Sequence, residues 1–103
     1  MERDDEELQR TAALLKALAH PVRLCIARGL WRNGCCNVTQ MQQCLAIPQS
    51  TVSQHLAKLR QAGVIAGRRK GLEICYEVSN PQVEKLLGCL FGEGPRERKE
   101  REE

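Results

Sequence analysis

No apolar run in the 103-residue sequence approaches the roughly 18 residues a membrane-spanning helix needs. The opening MERDDEEL has neither the basic nor the apolar region of a secretory signal, so the expected compartment is the cytoplasm, with no membrane partner. There is no CxxC pair, and the only histidines, His20 and His55, lack zinc-finger spacing, so a structural zinc site is not expected. A Ser-His-Asp order, a phosphate-cradling glycine loop and a carboxylate pair are all missing. The expectation is a protein that is not an enzyme and carries no cofactor.

Acidic residues are also scarce where the body of the chain lies. Residues 8–92 hold eleven bases against Glu73, Glu77 and Glu84, a charge of +8 within a chain whose net charge is +3. The acids gather at the two ends. A compact basic body suits a polyanion, although an ordinary soluble surface has the same composition.

What is present is a sequence of short elements. Asp4 or Asp5 can cap a first helix, along which Leu8, Ala12, Leu15 and Leu18 recur at helical spacing. Pro21 disfavours a helical residue before it and fits the first turn of a second helix, with Val22, Cys25, Ile26, Gly29 and Leu30 as its expected buried stripe. Asn33-Gly34 ends it. A short third helix is expected over about 38–45, burying Val38, Met41 and Leu45. A fourth runs over about 49–62, burying Val52, Leu56 and Leu59 and closed by Gly63. Val64-Ile65 begins a strand, Gly67–Gly71 reads as a basic loop, and Leu72–Val78 alternates with Leu72, Ile74, Tyr76 and Val78 on one face. Asn80-Pro81 opens a last helix burying Val83, Leu86, Leu87 and Leu90. The expected domain is 1–92, and the charged segment 93–103, without apolar periodicity, is expected to be disordered.

Two short helices joined by a tight turn, then a hairpin with a basic tip, make a winged helix-turn-helix: five helices and two strands, mainly α. At about 100° per residue, Ser50, Gln54, Ala57, Lys58 and Gln61 lie opposite Val52, flanked by Thr51 and Ser53. Such a face can enter a major groove, where Gln pairs with adenine and Ser or Thr with several base edges. Gln49, His55 and Lys58 complete the expected DNA-contacting set on this helix. Arg68, Arg69 and Lys70 can reach phosphates or a minor groove. Alone, each feature also describes a solvated surface; the order in which they occur points to DNA.

LAHPVRLCIARGL, IPQSTVSQHLAKLRQAGVI and GRRKGLEICYEV together resemble the ArsR/SmtB family of winged-helix repressors, over roughly residues 8–92. The resemblance implies a homodimer held by the first and last helices, with two recognition helices on a palindromic double-stranded operator and an inducer that lowers DNA affinity. Leu8, Leu15, Leu86 and Leu90 are the expected dimer contacts. The family's arsenic and cadmium members carry a CVC-type motif where this chain has Asn37 and Thr39, and its zinc and nickel members use Asp and His on a last helix that here has neither. Pro48 stands where the family usually has Ser before the recognition helix.

The six cysteines therefore carry the expected switch. Cys35-Cys36 sit in the turn entering the third helix, where the helix's partial positive charge favours thiolate, and a vicinal disulfide there would be strained and readily reduced. Two unpaired loop thiols are the plainer reading. The rival pair is Cys25 with Cys89, about one turn before the cysteines that join the second and last helices in the family's sulfane-sulfur sensors; as a lone residue Cys25 reads as core packing. Cys44 is expected in the core, and Cys75 faces outward between glutamates. Capture of a soft metal or metalloid by Cys35, Cys36 and a third thiolate, or a repressor with no effector, are the alternatives.

Overall fold

The computed structural model describes residues 5–92; the expected cap Asp4 and the charged segment 93–103 lie outside the described residues. Four helices precede a hairpin, and a fifth follows it: α1 (Asp5–Leu18), α2 (Pro21–Asn33), α3 (Val38–Leu45), α4 (Gln49–Gln61), β1 (Ile65–Lys70), β2 (Glu73–Val78) and α5 (Pro81–Phe91). The architecture is the winged helix-turn-helix that the order of elements implied.

Caps set the boundaries. Pro21 opens α2, and the residue before it, His20, serves as N-cap, its Nδ1 accepting the Val22 N–H at 3.1 Å. α3 opens on a reciprocal capping box. The Gln40 N–H donates to Asn37 Oδ1 at 2.8 Å, and the Asn37 N–H donates to Gln40 Oε1 at 2.9 Å. α4 begins at Pro48 without a side-chain cap; the Pro48 carbonyl accepts the N–H groups of Thr51 and Val52. Asn80 caps α5 and also donates through Nδ2 to the Gly63 carbonyl at 3.2 Å, fastening α5 to the turn after α4.

The core gathers Leu30, Val52, Leu56, Leu59, Val64, Val83 and Leu87, with Ile26, Ala27, Trp31, Met41 and Tyr76 around them. α4 contributes Val52, Leu56 and Leu59 at i, i+4 and i+7, as its periodicity requires. The buried stripe of α2 is displaced from the expected one: Ile26, Ala27, Leu30 and Trp31 face inward, while Cys25 is exposed. Trp31, one residue past Leu30, lies on that displaced stripe and is buried with it. Arginines then tie the layers together. Arg23 donates to the Ala17 carbonyl at 2.7 Å, and the Arg28 guanidinium lies 4.8 Å from the centre of the Phe91 ring.

The hairpin differs most from expectation. Gly67, Arg68, Arg69 and Lys70 are not a loop; they complete β1, in register from Ile65 opposite Val78 to Lys70 opposite Glu73. The turn is Gly71-Leu72, with Gly71 at φ +62°. Of the four apolar residues expected to share one face, only Tyr76 is buried and Val78 half-buried; Ile74 and Leu72 are 41% and 99% exposed. The reason is reach. The root of the hairpin lies over the core, and the outer half extends beyond it.

The turn between α3 and α4 holds Ala46 in the left-handed region at φ 57°. A Cβ there costs about 1–2 kcal/mol, part of which glycine would return as unfolded-state entropy. Ala46→Gly should therefore stabilise the protein by about 0.5–1 kcal/mol, read from urea unfolding.

Candidate nucleic-acid interface

α4 presents Gln49, Ser50, Ser53, Gln54 and Lys58 to solvent, with Thr51 and Ala57 half-buried at the margins. The face is short-chained and polar through its first two turns and basic in its last, where Lys58 and Arg60 stand. His55, expected among the DNA contacts of this helix, is half-buried. Its ring lies 4.8 Å from that of His20, the cap of α2, so the recognition helix and the α1–α2 corner meet through two imidazoles.

On the wing, Arg68 is held by Glu77 across the strands, Nη2 to Oε1 at 3.3 Å, and Arg69 leans back toward the Gly71 carbonyl at 3.5 Å. Lys70 pairs with Glu73 in the ladder, and Glu73 also accepts from Asn37 Nδ2 at 2.8 Å. The basic side chains are exposed and carry their own acidic neighbours. An exposed ion pair of this kind contributes only about 0–1 kcal/mol, so a phosphate can replace the carboxylate at little cost.

The cysteines are arranged differently from the sequence reading. Cys35 does not pair with Cys36. It is joined in a disulfide to Cys75, 40 residues away, with 5.5 Å between the Cα atoms. Cys75, expected to face outward, is turned toward the α2–α3 loop. Cys36 is a free, half-buried thiol whose backbone pairs with Tyr76 of β2 in both directions, N to O at 3.1 Å and O to N at 2.8 Å. Burial, and then the neighbouring Cys44, push its pKa above the ordinary thiol value. Cys25, Cys44 and Cys89 are free and exposed, which corrects the expectation of core positions for Cys25 and Cys44. Among the described residues, no three His, Cys, Asp or Glu side chains gather as a metal site.

Of the expected dimer contacts, Leu8, Leu15 and Leu90 are 53%, 48% and 59% exposed, while Leu86 packs half-buried against the core. Sequence reasoning missed three structural partnerships. The Asn37…Gln40 capping box had a sequence signal; the His20–His55 contact and the Cys35–Cys75 pairing had none.

This order of elements, with a polar recognition face and a basic wing, defines a winged helix-turn-helix protein. A helix-turn-helix domain model matches residues 18–68. The chain is 49% identical over 83 residues to the transcriptional repressor PagR of Bacillus anthracis, covering 81% of this chain and 83% of that one. The PagR crystal structure superposes with a TM-score of 0.77 at 48% identity, over 82% of this chain and 97% of that one. The repressor SmtB of Mycobacterium tuberculosis is 41% identical over 82 residues, 80% of this chain and 60% of its own. The solution structure of a homodimeric winged helix-turn-helix DNA-binding domain from Mycobacterium bovis gives a TM-score of 0.76 at 26% identity, over 87% and 84% of the two chains. The protein belongs to the ArsR/SmtB family of winged helix-turn-helix transcriptional repressors.

Burial lowers the pKa of His55, and the charges of His20 and Arg23 lower it further. The unfolded chain then binds a proton more readily than the folded one, so stability is full above the unfolded value of about 6.5 and falls as pH drops toward the folded value. The melting temperature should fall between about pH 7.5 and about pH 5.5, and His55→Gln should reduce that fall.

Proposed function

We propose that the protein is a cytoplasmic homodimeric repressor, not an enzyme, that binds a palindromic double-stranded DNA operator. The thiol state of Cys35 and Cys75 sets its affinity. Gln49, Ser50, Thr51, Ser53 and Gln54 read or approach base edges from α4, with Lys58 on the flanking phosphates. Arg68, Arg69 and Lys70 add phosphate or minor-groove contacts from β1. The exposed Leu8, Leu15 and Leu90, on the two terminal helices, suit burial against a second copy, as does the homodimeric state of the mycobacterial relative.

The observation that carries the switch is a register: Cys75 lies directly across the hairpin from Arg68. Disulfide formation anchors Cys75 to the loop before α3 and thereby fixes the strand behind the wing's first cation. Two thiols lose two protons and two electrons, and a low-molecular-weight disulfide such as oxidised glutathione accepts them as two thiols. We assign DNA binding to the dithiol form and release to the disulfide form.

The test is binding to a duplex selected from a randomised pool, measured across salt concentrations with and without oxidant. The triple substitution of Arg68, Arg69 and Lys70 by Ala should weaken binding to all duplexes and lower the log–log salt slope by roughly one unit per lost contact. Oxidised protein should release the duplex and regain it with dithiothreitol, while Cys75→Ser stays bound throughout. An unchanged salt slope removes the wing from the DNA, and equal affinity of the two redox forms removes the switch.

A further inference from the structure

The disulfide leaves four free cysteines, and three of them line one place. Between α2 and α3 lies a half-open cavity of about 360 Å³, a size that suits a small organic molecule. Its walls are Ile26, Leu30 and Met41, and Cys25, Cys36 and Cys44 line it with them. Gly29 also faces the cavity, and a Cβ built there meets nothing within 4 Å.

Helix geometry places two functional groups of α3 side by side. Gln40 and Cys44 are one turn apart, on one face, and both line the cavity. Gln40 Oε1 is already taken by the Asn37 N–H, so the group left to offer is the amide NH₂, a donor. Asn33 adds a second amide at the cavity's edge, and a donor amide, a soft nucleophile one turn on and aliphatic walls suit a small electrophilic carbonyl compound. The thiols do not form a metal-binding cluster, and the apolar wall has no use for a bare ion.

We propose that this cavity is an effector site for a small apolar α,β-unsaturated carbonyl compound, captured covalently by Cys44. Gln40 donates to the carbonyl oxygen and polarises the conjugated system. The Cys44 sulfur forms a C–S bond to the β-carbon, the C=C π pair moves onto the carbonyl oxygen as an enolate, and the proton lost by the thiol ends on the α-carbon. No oxidant is consumed. Cys36, half-buried and with its thiol pKa raised by that burial, forms part of the wall and is not the nucleophile. The adduct occupies the space behind α3, which packs on α4, so it displaces the helix on which the recognition helix rests. That last consequence rests on the DNA-binding reading; capture itself does not.

The experiment uses the reduced full-length protein, with 2-cyclohexen-1-one as probe and iodoacetamide as a small reagent that needs no cavity. Peptide mass spectrometry reads the labelling rate at each cysteine. The ratio of enone to iodoacetamide labelling should be at least about tenfold higher at Cys44 than at Cys89, which is exposed outside the cavity. Gly29→Leu, which fills the cavity, should abolish the preference. Gly29→Ala should reduce it, and Cys36→Ser should leave it. The adducted protein should release a duplex selected by the unmodified protein. Equal ratios at the two cysteines, or a preference that survives Gly29→Leu in a folded protein, overturn the site. An adduct at Cys44 that leaves duplex binding unchanged overturns the effector role. An unmodified protein that selects no duplex counts instead against the DNA-binding reading, and the labelling ratios still decide the site.

Discussion

The two backbone hydrogen bonds between Cys36 and Tyr76 hold the wing to the helical body, and the position of every wing cation depends on them. A two-stranded hairpin is marginal by itself in water. Here it gains a third partner from the loop before α3, and the Tyr76 side chain sinks into the core. Gly67, opposite Tyr76, makes that possible: a Cβ at Gly67 would stand 3.0 Å from both Tyr76 Cε1 and Ile74 Cγ2. Ile74 can yield, being exposed, whereas Tyr76 cannot. The Asn37–Glu73 hydrogen bond and the Cys35–Cys75 disulfide reinforce the same seam. A glycine on one strand thus sets the depth of an aromatic ring on the other, and the ring fixes the loop from which α3 starts.

Charge is sorted by direction more than by amount. Arg23 and Arg32 donate to main-chain carbonyls at helix ends, and Arg28 covers an aromatic ring. These three arginines of α2 serve the fold. Lys58, Arg60, Arg68, Arg69 and Lys70 are the cations left on the α4 and wing surfaces. The excess of bases counted from the sequence therefore overstates the electrostatic face available to a polyanion. The ion pair of Arg68 with Glu77 moderates it further, offsetting the charge of one wing cation.

Much of this was legible in the sequence, for identifiable reasons. Val52, Leu56 and Leu59 report a helix and its inner face without help from tertiary structure, and Pro21, Gly63 and Asn80-Pro81 mark boundaries by backbone chemistry alone. The wing was misjudged at Gly67–Lys70, where glycine and a run of charge read as a loop although the backbone continues the strand; period-two alternation, for its part, says which residues share a face but not whether a core lies beneath it, and Leu72 and Ile74 have nothing to rest on. Cys25 read as core because its stripe was counted from Val22, whereas the buried stripe runs through Ile26, Ala27, Leu30 and Trp31. The Cys35–Cys75 pairing depends on how the hairpin folds back over the α2–α3 loop, a contact across 40 residues that no local pattern encodes.

α3 is the shorter helix of the helix-turn-helix, and that suits it to the control proposed above. Eight residues are too few for a stable isolated helix, so α3 exists through its capping box, Met41 and its contacts with α4. Its N-terminal loop is tied to the wing, its C-terminal end relies on a strained Ala46, and a cavity lies behind it. α4, by contrast, buries three large side chains almost completely. Moving α4 directly would require breaking the core; moving its support does not. Local elements of low stability are those that a ligand or a bond can shift. On the function proposed above, the rigid helix reads DNA and the short one behind it receives the signal, which would set recognition and regulation in neighbouring helices that share one packing surface.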